Sequence, residues 1–307
     1  MKINLLYLSA LTFILISTSA ISMNQTNKQI ISPAIPKLKI RAYTNIPILK
    51  DDAKYPVISA ESAMAVDLNS GVYLYEKDPQ RPLLPASTTK IITALVALDT
   101  YQLDQVLMVG NVDVIGQKMG LVTGEQITFR NLLDGLLVYS SNDAAEVLAQ
   151  NFPSGREMFI YQMNNKAKEM GLKNTHFANP TGLDDATQFS TTKDLIVISK
   201  IAMRNPIFAE VVGTKEKIVK SIDGRFTHNL VNINKLLGNV EGVLGVKTGW
   251  TENARENLVT YIERGDKKIM IAVLGSQDRF GETKELIDWI FESFIWQDVN
   301  PSITYSP

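Results

Sequence analysis

The 307-residue chain contains no cysteine and only two histidines, His176 and His228. The first absence excludes disulfides, thiolate metal ligands, a cysteine nucleophile and a lipid-modified N-terminal cysteine. Two histidines far apart in sequence supply neither a histidine-rich metal site nor an obvious Ser-His-Asp triad, so no metal and no cofactor is expected. An excess of charge of one sign is lacking as well. With 31 basic and 32 acidic residues the net charge is -1, which gives no support to nucleic-acid binding, where affinity comes from massed Lys and Arg. Internal repeats and low-complexity tracts are also missing. What is present, 45% hydrophobic and 21% charged residues, is the composition of a globular protein. At about 150 residues per domain, the length allows one large domain or two ordinary ones.

Lys2 precedes an uncharged stretch from Ile3 to Met23, rich in Leu, Ile and Phe and followed after Phe13 by the small residues Ser17, Thr18, Ser19 and Ala20. Residues 1–22 therefore read as a secretory signal or as an uncleaved membrane anchor, since roughly 20 apolar residues suffice to span a bilayer. Either way the body of the protein is expected outside the cytoplasmic membrane. Residues 23–56 carry Pro33, Pro36, Pro47 and Pro56 with little periodicity and read as a linker. Residues 57–296 are left for one folded domain and 297–307 for a tail.

Within that domain, Ala63–Leu68 and Val72–Tyr75 predict a β-hairpin about Asn69-Ser70-Gly71. A helix follows over Ser87–Asp99. Apolar residues at three- and four-residue spacing predict further helices over Asn131–Ala149 and Arg156–Met170. Strands return at Val243–Lys247, Leu258–Glu263 and Lys268–Leu274, and Glu282–Trp296 closes the chain as an amphipathic helix. Strands at both ends and helices between them imply an α+β fold. An antiparallel sheet is built from the two ends, helices flank it, and an all-helical lobe is inserted between.

The chemistry lies in three short motifs. In Ser87-Thr88-Thr89-Lys90 the serine and lysine share one helix face. Lysine can take the serine proton without any histidine if burial or a nearby cation disfavours its charged form. An identical Ser190-Thr191-Thr192-Lys193 occurs later. It overlaps Thr191-x-x-Asp194, a helix-capping signal that accounts for it without catalysis. Ser87 opens a strongly apolar helix able to desolvate its lysine and is the better nucleophile. The second motif, Ser140-Ser141-Asn142, interrupts a buried apolar run and is compatible with a capped helix break. The third, Lys247-Thr248-Gly249, ends a predicted strand. A phosphate loop is excluded there, because Val246 stands where that loop needs glycine.

The order S-x-x-K, S-x-N, K-T-G is the signature of penicillin-binding proteins and serine β-lactamases. The chain resembles more narrowly the low-molecular-weight D-alanyl-D-alanine carboxypeptidases. The likeness runs from about residue 57 to 292 and includes AVDLNSGVYLYEKDPQRPLLPASTTKIITALVALD, MGLVTGEQITFRNLLDGLLVYSSNDAAEVLA, FANPTGLDD and GVKTGWTENA. It implies a β-lactamase/transpeptidase-like fold and a serine peptidase acting on peptidoglycan stem peptides that end in D-Ala-D-Ala, with β-lactams as covalent inhibitors. By resemblance, Ser87 attacks the peptide carbonyl, Lys90 accepts its proton and Ser140 relays a proton to the leaving D-alanine. Asn142 holds Lys90 and the substrate amide. Lys247 helps to keep Lys90 neutral, Thr248 binds the substrate carboxylate and Gly249 lets the substrate backbone lie close. The N–H groups of Ser87 and Trp250 form the oxyanion hole. Asp184 matches a loop aspartate of the family, and the carboxylate-assisting arginine is left open between Arg279 and the closer-matching position of Gln277.

Two departures stand out. Ala254-Arg255 occupies a place where the family commonly has Ala-Gly, and only eleven residues follow Trp296, which leaves no room for the β-rich second domain of well-known members. Membrane attachment is then expected from the N-terminus. The alternatives are a D,D-endopeptidase, which the short form also resembles, a serine β-lactamase, and a non-catalytic sensor. The stretch Asn179–Phe189 holds no glutamate to activate a deacylating water, which argues against a class A β-lactamase.

Overall fold

The computed structural model describes residues 45–298; the stretch 1–22, read above as a signal or anchor, lies outside them. The first strand, β1 (Asn45–Leu49), falls inside the stretch read as a linker. The predicted hairpin follows as β2 (Ser62–Asp67) and β3 (Tyr73–Lys77). Its turn is closed by Asp67, whose carboxylate accepts from the Ser70 N–H and hydroxyl, both at 2.7 Å. A 3-10 turn (Ala86–Thr89) then runs straight into α1 (Lys90–Thr100). Every residue of α1 from Lys90 to Ala97 is buried, the mark of a helix surrounded on all sides by protein.

The inserted lobe follows with β4 (Val106–Met108), β5 (Gln126–Thr128), α2 (Phe129–Leu137), α3 (Asn142–Gln150) and α4 (Gly155–Glu169). After it come α5 (Thr192–Ala202), α6 (Pro206–Val212) and the hairpin β6 (Glu216–Lys220) and β7 (Thr227–Val231). The chain closes with β8 (Val243–Thr251), β9 (Arg255–Arg264), β10 (Lys267–Ser276), α7 (Arg279–Ser293) and β11 (Phe294–Asp298).

The main sheet has the order β3-β2-β10-β9-β8, so the two ends of the chain meet where β2 pairs with β10. All its pairings are antiparallel. Side chains alternate across a strand, and β10 serves two cores in this way. Ile269, Ile271 and Val273 pack with Leu286, Ile287 and Ile290 of α7. Met270, Ala272 and Leu274 join the larger core with Ile91 and Leu95 of α1 and Leu195 of α5. Burying each such Ile or Leu contributes about 1.5–3 kcal/mol. The sheet is thus covered on both faces, and β8, at its edge, is left with one unpaired side.

Three expectations are corrected. The run Asn131–Ala149 is not one helix: α2 ends at Leu137 and α3 begins at Asn142. Ser140 sits in the left-handed region at φ 61° and Ser141 is extended, so helical hydrogen bonding cannot continue through them. The closing helix stops at Ser293 rather than Trp296. Phe294–Asp298 pairs antiparallel with β1, from Leu49 opposite Phe294 to Asn45 opposite Asp298. Finally, the region between the two sheet halves is not all-helical, because β4 pairs with β5 and β6 with β7. These strands are short, with only alternate residues buried, and their apolar content is too slight to separate them from loop. Among the described residues no helix is long and apolar enough to cross a membrane.

Candidate active site

The 3-10 turn carries Ser87. In that helix type, residues three apart are nearly eclipsed, and Lys90 Nζ lies 2.9 Å from Ser87 Oγ. The serine is partly exposed on the floor of a cleft, while the lysine is wholly buried at the start of α1. Two further acceptors hold the amine: Asn142 Oδ1 at 2.6 Å and the backbone carbonyl of Thr181 at 2.6 Å. Burial lowers the Lys90 pKa to about 7, against the opposing pull of the Asp143 and Glu146 carboxylates. A neutral amine has two N–H groups and one lone pair. Asn142 and Thr181 take both protons, and the lone pair is left to face the serine hydroxyl.

Ser140 comes to the same place from the α2–α3 break. Its left-handed backbone, at a cost of about 1–3 kcal/mol for a residue other than glycine, turns its hydroxyl toward β8, where Lys247 Nζ donates to Ser140 Oγ at 2.7 Å. Lys247 also donates to the carbonyl of Thr248. Its pKa is driven well below the ordinary lysine value, first by burial and then by the charges of Lys90 and Arg279. Burial dominates at both lysines. At Lys247 repulsion by Lys90 and Arg279 adds to it, because like charges in one desolvated space disfavour the ammonium form.

Around these groups lies a cavity of about 680 Å³ lined by Ser87, Ser140, Asn142, Thr248, Gly249, Trp250 and Arg279 among others. β8 forms one wall with its free edge. The structure gives Gly249 a reason beyond the one implied by resemblance. A Cβ there would stand 3.0 Å from the Ser87 nitrogen and 3.1 Å from the Ala86 Cβ, so glycine is what lets the strand seat the turn that carries Ser87. Arg279, not Gln277, reaches the cleft, where its Nη1 donates to the Gly249 carbonyl at 2.8 Å. Asp184 bridges to the far end of β8, accepting from Thr251 Oγ1 at 2.6 Å and from Asn253 Nδ2 at 3.0 Å.

The second Ser-x-x-Lys copy is a cap. Thr191 Oγ1 accepts from the Asp194 N–H at the start of α5, and Ser190 Oγ is engaged by Thr175 Oγ1 at 2.9 Å. Neither histidine lines the cavity, and His228 is bound to Glu125 elsewhere. Among the described residues no group of three or more His, Asp or Glu side chains could hold a metal ion.

Sequence reasoning missed the Thr181 carbonyl and Asp143. The latter is a buried carboxylate accepting from the N–H groups of Met119, Gly120 and Leu121, and so fastens the loop beside Asn142. The only sequence signal for the first is Asn179-Pro180, a turn-initiating pair. Arg255 also acquires a meaning: it lies at φ 56°, a conformation glycine adopts freely. Its charge makes only a 3.9 Å contact with Glu61. Arg255→Gly is expected to stabilise the protein by about 1 kcal/mol, or ~2–4 °C in Tm. An unchanged or lowered Tm in thermal denaturation would contradict this account.

A family model described as D-alanyl-D-alanine carboxypeptidase matches residues 50–278. The chain is 32% identical over 246 residues to D-alanyl-D-alanine carboxypeptidase DacF of Bacillus subtilis, covering 76% of this chain and 63% of that protein. It is 35% identical over 242 residues to carboxypeptidase DacB2 of Mycobacterium tuberculosis, covering 76% and 82%. A D-alanyl-D-alanine endopeptidase of Pseudomonas aeruginosa is 33% identical over 242 residues, covering 76% and 77%. Among solved structures, the Streptomyces K15 DD-transpeptidase superposes with a TM-score of 0.73 at 32% identity, over 78% of this chain and 99% of that one.

Proposed function

The chain belongs to the D-alanyl-D-alanine carboxypeptidase family, and from that premise we propose that it removes the terminal D-alanine from peptidoglycan stem peptides through an acyl-enzyme on Ser87. The observation that carries this reading is the buried Lys90 amine, 2.9 Å from Ser87 Oγ and held by two other acceptors. A serine hydroxyl is a weak nucleophile until a base takes its proton, and a lysine with a pKa of about 7 can be that base at neutral pH.

The substrate lies along the free edge of β8, where peptide groups of the strand are open to it. Its terminal carboxylate meets Thr248 Oγ1, the Lys247 amine and the Arg279 guanidinium. Its scissile carbonyl sits over Ser87, with the N–H groups of Ser87 and Trp250 as oxyanion donors, each worth about 10²–10³ in rate. As Ser87 Oγ bonds to the carbonyl carbon, its proton passes to Lys90. When the peptide bond breaks, Ser140, hydrogen-bonded to Lys247, relays the proton held by Lys90 to the departing D-alanine nitrogen, which returns Lys90 to the neutral amine. Water then cleaves the ester and regenerates the serine. Penicillin enters the same sequence and stops at the acyl-enzyme, because its ring-opened leaving group stays tethered in the site. No metal or cofactor takes part in these steps.

Such a substrate places the catalytic unit outside the cytoplasm, and residues 1–22 serve as the export signal or N-terminal anchor. The deciding experiment is mass spectrometry of purified cross-linked muropeptides after incubation with the protein. Release of one D-alanine per pentapeptide stem is expected. Dimers split with D-alanine retained would identify an endopeptidase instead, and unchanged muropeptides would leave a binding protein.

A further inference from the structure

The geometry points to Asn179 as the positioning residue that aims the Lys90 lone pair at Ser87. This inference rests on the Ser87–Lys90 acylation chemistry proposed above and adds a residue to it. Two of the three partners of Lys90 are side chains from the signature motifs, Ser87 and Asn142. The third is the backbone carbonyl of Thr181, which lies in a loop with no regular secondary structure of its own and must be held by something else.

Asn179 holds it from both ends. Its Oδ1 accepts from the Thr181 N–H at 3.2 Å, the Thr181 hydroxyl at 2.8 Å and the Gly182 N–H at 2.8 Å. Its Nδ2 donates to the Leu183 carbonyl at 2.9 Å. One amide thereby closes the turn over residues 180–183. The turn is pressed against the catalytic elements at two more points. The Pro180 carbonyl accepts from Thr93 Oγ1, one helical turn beyond Lys90, at 2.7 Å. Gly182, left-handed at φ 84°, abuts the peptide that leads into Ser87, so closely that a Cβ would fall 1.9 Å from the Ala86 carbonyl oxygen.

The consequence for chemistry follows from the valence of the amine. With the Thr181 carbonyl in place, one N–H of neutral Lys90 points to it, another to Asn142, and the lone pair to Ser87. If the turn relaxes, the amine can rotate an N–H toward the serine, which leaves the hydroxyl proton without an acceptor. The carbonyl also stabilises the ammonium form, so its loss lowers the pKa of Lys90.

The test is the second-order rate of acylation by a fluorescent penicillin, measured against pH, for the wild type, Asn179→Ala and Asn179→Asp. Misplacing a reacting group by about 1 Å can cost about 10²-fold, and a loss of that order is expected for Asn179→Ala, with the acidic limb of the profile moved to lower pH. Asn179→Asp keeps the three bonds to one side-chain oxygen, turns its second oxygen toward the Leu183 carbonyl, which Gln188 Nε2 still holds at 2.8 Å, and adds negative charge to the turn that holds the lysine. It should recover most of the rate and move the limb to higher pH. A rate for Asn179→Ala within twofold of wild type overturns the inference, as do equal losses in both variants with an unmoved limb. Should Asn179→Ala fail to fold, Asn179→Gln, which displaces both amide groups by one methylene, decides instead: a rate within twofold of wild type overturns the inference. Failure of the wild type to label at all would instead remove the acylation reading itself.

Discussion

Replacing Ser87 with alanine is expected to abolish covalent labelling by penicillin and to reduce D-alanine release to background, a loss on the order of 10⁴–10⁶-fold. The loss should be complete because nothing nearby can substitute. Ser140 Oγ is engaged by Lys247 on the other wall of the cleft. Ser190, which repeats the motif, is buried against Thr175 and outside the cavity lining. Ser140 is almost wholly buried, whereas Ser87 is partly exposed and lies beside Lys90, and that combination of access and base singles out Ser87. Peptide mapping of the wild-type adduct should find the label on Ser87. Labelling that survives the substitution, or that maps to Ser190, would refute the assignment.

Lys90→Met is expected to slow acylation by about 10³–10⁴-fold, comparable to losing one member of a catalytic triad. Methionine fills much of the same volume, so the buried site need not collapse. Lys90→Arg should not rescue activity, since guanidinium does not give up its proton at any pH compatible with the fold. The wild-type rate should follow the neutral amine. With a pKa of about 7, acylation rises with pH through neutrality and levels off above it, as the ammonium that cannot accept a proton gives way to the amine that can. Had burial not lowered the value, the rise would be centred near the ordinary lysine pKa, beyond ~10. Acylation kinetics across pH 5–10 separate the two cases. A rise still incomplete at pH 9, or a near-normal rate in Lys90→Met, would remove Lys90 as the base.

Much of the site could be read in one dimension because its side chains come in short local motifs. Ser87 and Lys90 are three residues apart, and that spacing alone puts them on one face. The choice between the two Ser-x-x-Lys copies was also legible. One opens an apolar run that becomes the buried α1, and the other overlaps a capping signal that the structure uses as a cap. The hairpin β2–β3 and the strands β8 to β10 were visible for a similar reason, since alternation and turn residues are local properties. The helix over Asn131–Ala149 misled because apolar spacing continues through Ser140 and Ser141, while the backbone there does not.

By itself the amino-acid sequence determined which chemistry was possible: no cysteine and two stray histidines leave serine and lysine to act together. It also determined the order of motifs that marks the family. Only the tertiary structure decided that Arg279 rather than Gln277 enters the cleft, that Gly249 seats the Ser87 turn, and that Phe294–Asp298 is a strand against Asn45–Leu49. The same holds for the third partner of Lys90, a peptide carbonyl supplied 91 positions away. Every residue carries such a carbonyl, so its identity leaves no trace in the sequence. Pairings between distant segments likewise depend on which surfaces the folded core brings together, not on any periodicity within either segment.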